Sequence, residues 1–207
     1  MKVLLLNGSP NENGTTMRAL KEVESTLKLN GIDTEIISIG KSEVTGCIVC
    51  GACKKTGYCY KNDFTNVLID KLEEADGFIV GTPVYYAGLN GTLKSLLDKT
   101  FYAHGKFVGK PAAAVACARR AGTTFTLDII NKYFMIGEMP VISSQYWNNV
   151  YGANAEDAEK DLEGLQTMRV LGNNMAYILK CIDAGRKAGV PLPEKEQRLR
   201  TNFIGNN

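Results

Sequence analysis

The sequence predicts an α/β fold whose parallel sheet is covered by helices on both faces. Three observations predict it. Apolar runs alternate with stretches of helical spacing along the 207 residues. The runs at Lys2–Asn7 and Gly77–Gly81 read as buried strands. The loops 8–16, 82–90 and 118–124 each follow a strand, so they converge on one edge of the sheet, where such folds bind ligands.

The elements follow in order. The first strand runs into the loop Gly8-Ser9-Pro10-Asn11-Glu12-Asn13-Gly14-Thr15-Thr16, and a helix opens near Gly14. Residues 33–39 alternate like a second strand. Asp63 is placed to cap a helix running through Val67, Leu68, Leu72 and Ala75. The short strand at Gly77–Gly81 ends at Thr82-Pro83, and Leu93, Leu96, Leu97 and Phe101 have helical spacing after it. Residues 111–118 form another apolar run, followed by a helix through Ile129, Ile130 and Phe134. A fifth strand is expected near Met139–Ser143, then one long helix around Ala155–Ala188. The whole chain, 1–207, is read as a single domain with a cysteine-rich loop at 44–62 and a C-terminal helical extension at about 154–207.

Composition excludes several function classes. The net charge is +2, so no strong field points to nucleic acid or a membrane surface. The first apolar run ends at Asn7, too short for a signal peptide or a membrane span, and a cytoplasmic protein is expected. The apolar content of 44% is that of a globular chain.

The first loop is built for a phosphate. A helix start offers unpaired N–H groups and the positive end of a dipole, and nearby hydroxyls complete a pocket. Five residues separate Gly8 from Gly14 and Thr15 stands where a Walker loop has Lys, so a nucleoside triphosphatase is excluded. Residues 8–13 lack the Gly-x-Gly-x-x-Gly of a dinucleotide fold. A terminal phosphomonoester remains. An ordinary strand-to-helix turn capped by Thr is the bland alternative.

Thr82-Pro83-Val84-Tyr85-Tyr86-Ala87-Gly88 and the helix after it, taken with the first loop, resemble the flavodoxin-like NAD(P)H-dependent FMN reductase family. The resemblance spans nearly the whole chain, including Gln145-Tyr146-Trp147-Asn148 and Asp161-Leu162-Glu163-Gly164. It implies a flavodoxin-like three-layer sandwich with a five-stranded parallel sheet, one FMN per chain, and NAD(P)H as co-substrate. It also implies cofactor contacts from Ser9, Asn11, Asn13, Thr15 and Thr16 at the phosphate, from Pro83, Val84, Tyr85 and Tyr86 along the ring, and from Ala118, Arg119, Arg120 and Gly122 in a third loop. One of Tyr85 and Tyr86 is expected to pack into the protein. Arg119 and Arg120 suit either the flavin or the phosphate of NADPH, or stand as solvated loop charges. His104, the only histidine, is read as a surface loop residue, so no catalytic residue is assigned.

Cys47, Cys50, Cys53 and Cys59 have the spacing C-x2-C-x2-C-x5-C. This density argues against a disulfide framework in a cytosolic protein and suits a [4Fe–4S] cluster better than zinc. The motif resembles that of the iron–sulfur flavoproteins, relatives of the FMN reductases. A metal-free lid or dimer contact stays open beside it. Cys117 and Cys181 are read as core thiols.

The reading is an FMN-dependent oxidoreductase that passes hydride from NAD(P)H to flavin and on to a quinone, nitro or azo compound, free flavin or protein. The alternative is an iron–sulfur flavoprotein carrying electrons to ferredoxin-type partners. A homodimer or homotetramer is expected by resemblance, and Gln145–Tyr151 has the composition of an interface or pocket rim.

Overall fold

A computed structural model describes residues 1–105, 107–194, 196, 197, 199 and 201. Five strands lie parallel: β1 (Lys2–Asn7), β2 (Asp33–Ser38), β3 (Gly77–Tyr85), β5 (Ala112–Ala118) and β6 (Asn149–Tyr151). Their order across the sheet is β2-β1-β3-β5-β6, and the two-residue β4 (Gly88–Leu89) folds back antiparallel on the end of β3. The helices are α1 (Thr15–Leu29), α2 (Cys53–Thr56), α3 (Phe64–Glu74), α4 (Gly91–Ala103), α5 (Thr123–Ile136), α6 (Ala155–Ala158) and α7 (Leu162–Lys187).

The pleat sorts the core into two layers. Successive strand residues point to opposite faces. Leu4, Leu6, Phe78 and Val80 pack with the buried stripes of α3, α4 and α5, while Val3, Leu5 and Ile79 pack with α1 and α7. Each of the three leucines of β1 is fully buried, a contribution of about 2 kcal/mol apiece. The apolar stripe of α1 (Ala19, Leu20, Val23, Leu27) has the predicted spacing.

Two expectations need correction. The fifth strand is not Met139–Ser143. That segment touches the sheet at one bridge, Ala112 with Val141, where Ala112 donates to the Pro140 carbonyl and Ile142 donates to Ala112. Pro140 has no N–H for a ladder. The chain then leaves the sheet over 143–148 and returns as β6, whose register pairs Asn149, Val150 and Tyr151 with Ala116, Cys117 and Ala118. The long helix is also divided. Asp161 interrupts it, accepting from Tyr151 N–H at 2.6 Å and capping α7 at Gly164 N–H at 2.9 Å. The helical extension ends at Lys187, and Gly189 turns left-handed (φ +85°) just beyond. Residues 190–194 have no regular structure, and the remainder of the predicted extension (195, 198, 200, 202–207) lies outside the described residues. Among the described residues no helix is long and apolar enough to cross a membrane.

Candidate functional site

The loop after β1 is wound by its own side chains. Asn7 Oδ1 accepts from Ser9 N–H (3.1 Å), Ser9 Oγ from Asn11 N–H (3.1 Å), and Asn11 Oδ1 from Asn13 N–H (3.0 Å). Gly8 N–H donates to the Gly81 carbonyl at 2.8 Å and ties the loop to β3. A β-carbon on Gly8 would stand 2.5 Å from Leu93 Cδ2 and 2.9 Å from the Gly81 oxygen, so only glycine fits this approach. Every loop N–H drawn into these turns is unavailable to a ligand; those opening α1 are not drawn in. Its N-cap, Gly14, brings no side chain to cap them.

Four other helices make the contrast. Asp63 caps α3, Asn90 caps α4, Asn154 caps α6 and Asp161 caps α7. Helix α5 resembles α1: its N-cap is Gly122 (φ +89°) and carries no side-chain cap. Helices α1 and α5 both start beyond the carboxyl ends of strands, and α1 opens directly on a cleft of about 350 Å³ lined by Gly14, Thr15 and Thr16.

Nine of the thirteen predicted cofactor residues line that cleft: Ser9, Asn11, Thr15 and Thr16 from the first loop, Pro83, Val84 and Tyr85 from the second, Ala118 and Arg119 from the third. Thr15 turns its hydroxyl to the Gly152 and Asn154 carbonyls (3.1 and 3.0 Å), which leaves its backbone N–H for a ligand. Arg119 is the one charged side chain among the described lining residues. The donor set is therefore hydroxyls, helix N–H groups and one guanidinium, which suits a phosphomonoester.

Four predicted residues do not line it. Asn13 faces solvent, as does Arg120. Tyr86 is fully exposed at the β3–β4 turn with φ +36°, and Tyr85 is also exposed, so neither tyrosine packs inside as expected. Gly122 sits behind the second loop, where a β-carbon would meet Val84 Cγ1 at 2.9 Å. The sequence reading missed Gly14, Cys117, Gly152 and Ala153 as wall residues. Gly152 and Ala153 follow β6, so the strand placed ten residues too early hid them. Their signal was the Tyr151-Gly152 turn after Asn149-Val150. Burial pushes the Cys117 thiol up to about 12, against the Thr16 hydroxyl and the Val150 backbone, so it stays neutral.

The four clustered cysteines also converge. Cys47, Cys50, Cys53 and Cys59 line one small cavity of about 30 Å³, walled by Ile48, Tyr60 and Tyr102 and by Lys61 and Lys99. Left-handed backbone at Val49 (φ +55°), Gly51 (+75°) and Gly57 (+77°) turns the chain around it. Val49 N–H points at Cys47 Sγ, 3.4 Å away. Asn66 clamps the loop's end, accepting from Cys59 N–H at 2.8 Å and donating to the Cys59 carbonyl at 2.9 Å. His104 is no surface loop residue: it ends α4 with its side chain 10% exposed, paired to Glu73 and facing the Gly57 carbonyl. Among the described residues no three His, Cys, Asp or Glu side chains stand close enough for one metal ion. The soft, all-sulfur donor set of four cysteines on one cavity is the chemistry that an iron–sulfur cluster takes. Cys181 is exposed rather than a core thiol.

The 143–148 excursion carries Tyr146 and Trp147, packed edge to face at 4.6 Å and half exposed. They line two grooves beside β6, outside the cleft. Tyr151 fixes the cleft's flank through Asn149 Nδ2 (2.9 Å) and Thr123 Oγ1 (3.3 Å).

Residues 1–153 match the family model described as NADPH-dependent FMN reductase. The chain belongs to that family. Within the FMN reductase family it is similar to an iron-sulfur flavoprotein of Methanocaldococcus jannaschii, 34% identical over 193 residues that cover 88% of this chain and 99% of the relative. An iron-sulfur flavoprotein of Methanosarcina thermophila is 28% identical over 191 residues, 90% of this chain and 99% of that one. A solved flavodoxin from the domain Archaea superposes with TM-score 0.61 at 18% identity, over 87% of this chain and 99% of its own, which establishes the flavodoxin-like fold. The FMN reductase match ends before α6 and α7, which pack against α1.

Proposed function

We propose that this member of the FMN reductase family binds one FMN in the cleft and acts as an NAD(P)H-dependent oxidoreductase, with a [4Fe–4S] cluster on Cys47, Cys50, Cys53 and Cys59. One observation carries the flavin assignment: the long helix α1, whose start lacks a side-chain cap, opens on the cleft between the ends of β1, β3 and β5. Bound there, the flavin would supply hydride acceptance from a nicotinamide, and the cluster single-electron transfer to an acceptor.

The chain's own part is binding and orientation. Ser9, Thr16 and the N–H groups of the first turn of α1 hold the phosphate. Pro83 stiffens the ring-binding strand end, so that backbone N–H groups there face the ring without reorganising. Tyr85 and the half-open rim leave one ring face accessible to a nicotinamide. Arg119 holds an anionic edge, of flavin or dinucleotide. Cys117 stays a neutral thiol at the cleft floor, apolar packing rather than a reacting group. Small acceptors reach the same open rim; the cysteine cavity, walled by exposed residues, suits a ferredoxin-type protein.

The test is stopped-flow absorbance of anaerobically purified, FMN-loaded protein. Rapid bleaching of the flavin bands by NADPH or NADH is the expected result. Protein that remains oxidised with both, yet is reduced by ferredoxin, makes the carrier reading correct. Folded protein that takes up no FMN overturns the flavin assignment.

A further inference from the structure

The cavity lined by the four cysteines is also lined by two lysines and by no aspartate or glutamate. One of the lysines, Lys99, has a side chain only 3% exposed. Lysine is almost never buried this far without a partner. Its partner is Asp63, whose Oδ2 it contacts while Oδ1 accepts Thr65 N–H at 3.0 Å as the cap of α3. Burial opposes the charge on Asp63, but the hydrogen bonds from Lys99 and Thr65 hold its carboxyl below the usual range, so Asp63 is a carboxylate. Asp63 does not line the cavity. Of the pair, Lys99 is therefore the member on the cysteines' side. A pair needed only to cap α3 would not require a cation, because a lone aspartate caps a helix.

We propose that Lys99 is a positioning residue for charge, raising the reduction potential of the cluster held by Cys47, Cys50, Cys53 and Cys59. This rests on the cluster assignment above. A cluster with four thiolates is anionic, and one added electron makes it more so, with no bond made or broken and no proton required. A nearby cation out of water favours the reduced state, and screening by salt is weak at a buried site. Asp63, which does not line the cavity, acts in the opposite direction and more weakly. Lys61 also lines the cavity, but it is half-exposed and bonded to Thr45, so its influence is smaller.

The test is an anaerobic dithionite titration of iron- and sulfide-reconstituted protein, followed by electron paramagnetic resonance, with iron content and circular dichroism measured on each sample. Lys99→Met should lower the midpoint potential, Lys99→Arg should restore it, and Asp63→Asn, which keeps a cap, should raise it. Lys61→Met should shift it less than Lys99→Met, and high salt should not erase the Lys99→Met shift. A merely structural pair would give iron loss or unfolding in both directions, never shifts of opposite sign. If Lys99→Met keeps its iron and titrates with the wild type, the proposal is overturned. Should Lys99→Met fail to fold, an unshifted Asp63→Asn overturns it. Wild-type protein that binds no iron overturns the cluster assignment itself, and that result is read from the iron analysis before any potential is measured.

Discussion

The cleft takes its walls from four strand ends and the start of α1, whereas the cysteine cavity takes none of its walls from the sheet. Residues such as Ser9, Thr16 and Cys117 are buried in the same framework that makes the core. Cys47 and Cys50 are exposed, on a segment held by Asn66, His104 and a few turns. The first site is preorganised by the fold; the second is shaped by its own backbone turns and completed by whatever binds there. Damage to the cleft should therefore be damage to the protein, and damage to the loop should be local.

The largest expected effect follows from this. Gly8→Val forces a side chain against Leu93 and the Gly81 carbonyl, and should cost about 3 kcal/mol in urea unfolding and abolish FMN retention. Unchanged stability would mean the cleft is as loosely built as the loop. The next effect is pH-dependent. Cys117 holds its proton up to about 12 when folded, while the unfolded thiol ionises near its ordinary 9.0. The unfolded state thus binds fewer protons between these values, so stability falls as pH rises through that window. Between pH 8 and pH 10 the wild type should lose about 1 kcal/mol more than Cys117→Ala. Equal losses in denaturant melts would show that the cleft floor is wet.

How far each region could be read from sequence differs for the same physical reason. Strand β1, helix α1 and the cap at Asp63 were legible because local pattern and burial agree there. The cysteine spacing was legible because it is one continuous stretch. The end of the sheet was not: Pro140 interrupts the apolar run that looked like a strand, and β6 is three residues whose pairing with β5 is a tertiary choice. That error concealed Gly152 and Ala153. Tyr86 was assigned to the ring because the motif is continuous, but a left-handed turn directs it to solvent.

Two smaller effects sharpen the comparison. Asn66→Ala removes both bonds to the Cys59 backbone and should cost about 1 kcal/mol in urea unfolding, with faster iron loss to a chelator and no change in FMN affinity. Weakened flavin binding in that variant would show that the two regions are coupled. Cys50→Ser should be smallest in stability, within about 0.5 kcal/mol of wild type, because the side chain is at the surface. It should nonetheless lose stoichiometric iron by colorimetric assay while the flavin spectrum persists.

The excursion at 143–148 leaves its side of the sheet with a three-residue strand and one isolated bridge. A rim this short and broken offers almost no run of unpaired amides to an incoming strand. Copies of this protein crowded together therefore have no template there for joining edge to edge into a continuous ribbon, and any self-association at that border must use side chains rather than shared backbone ladders.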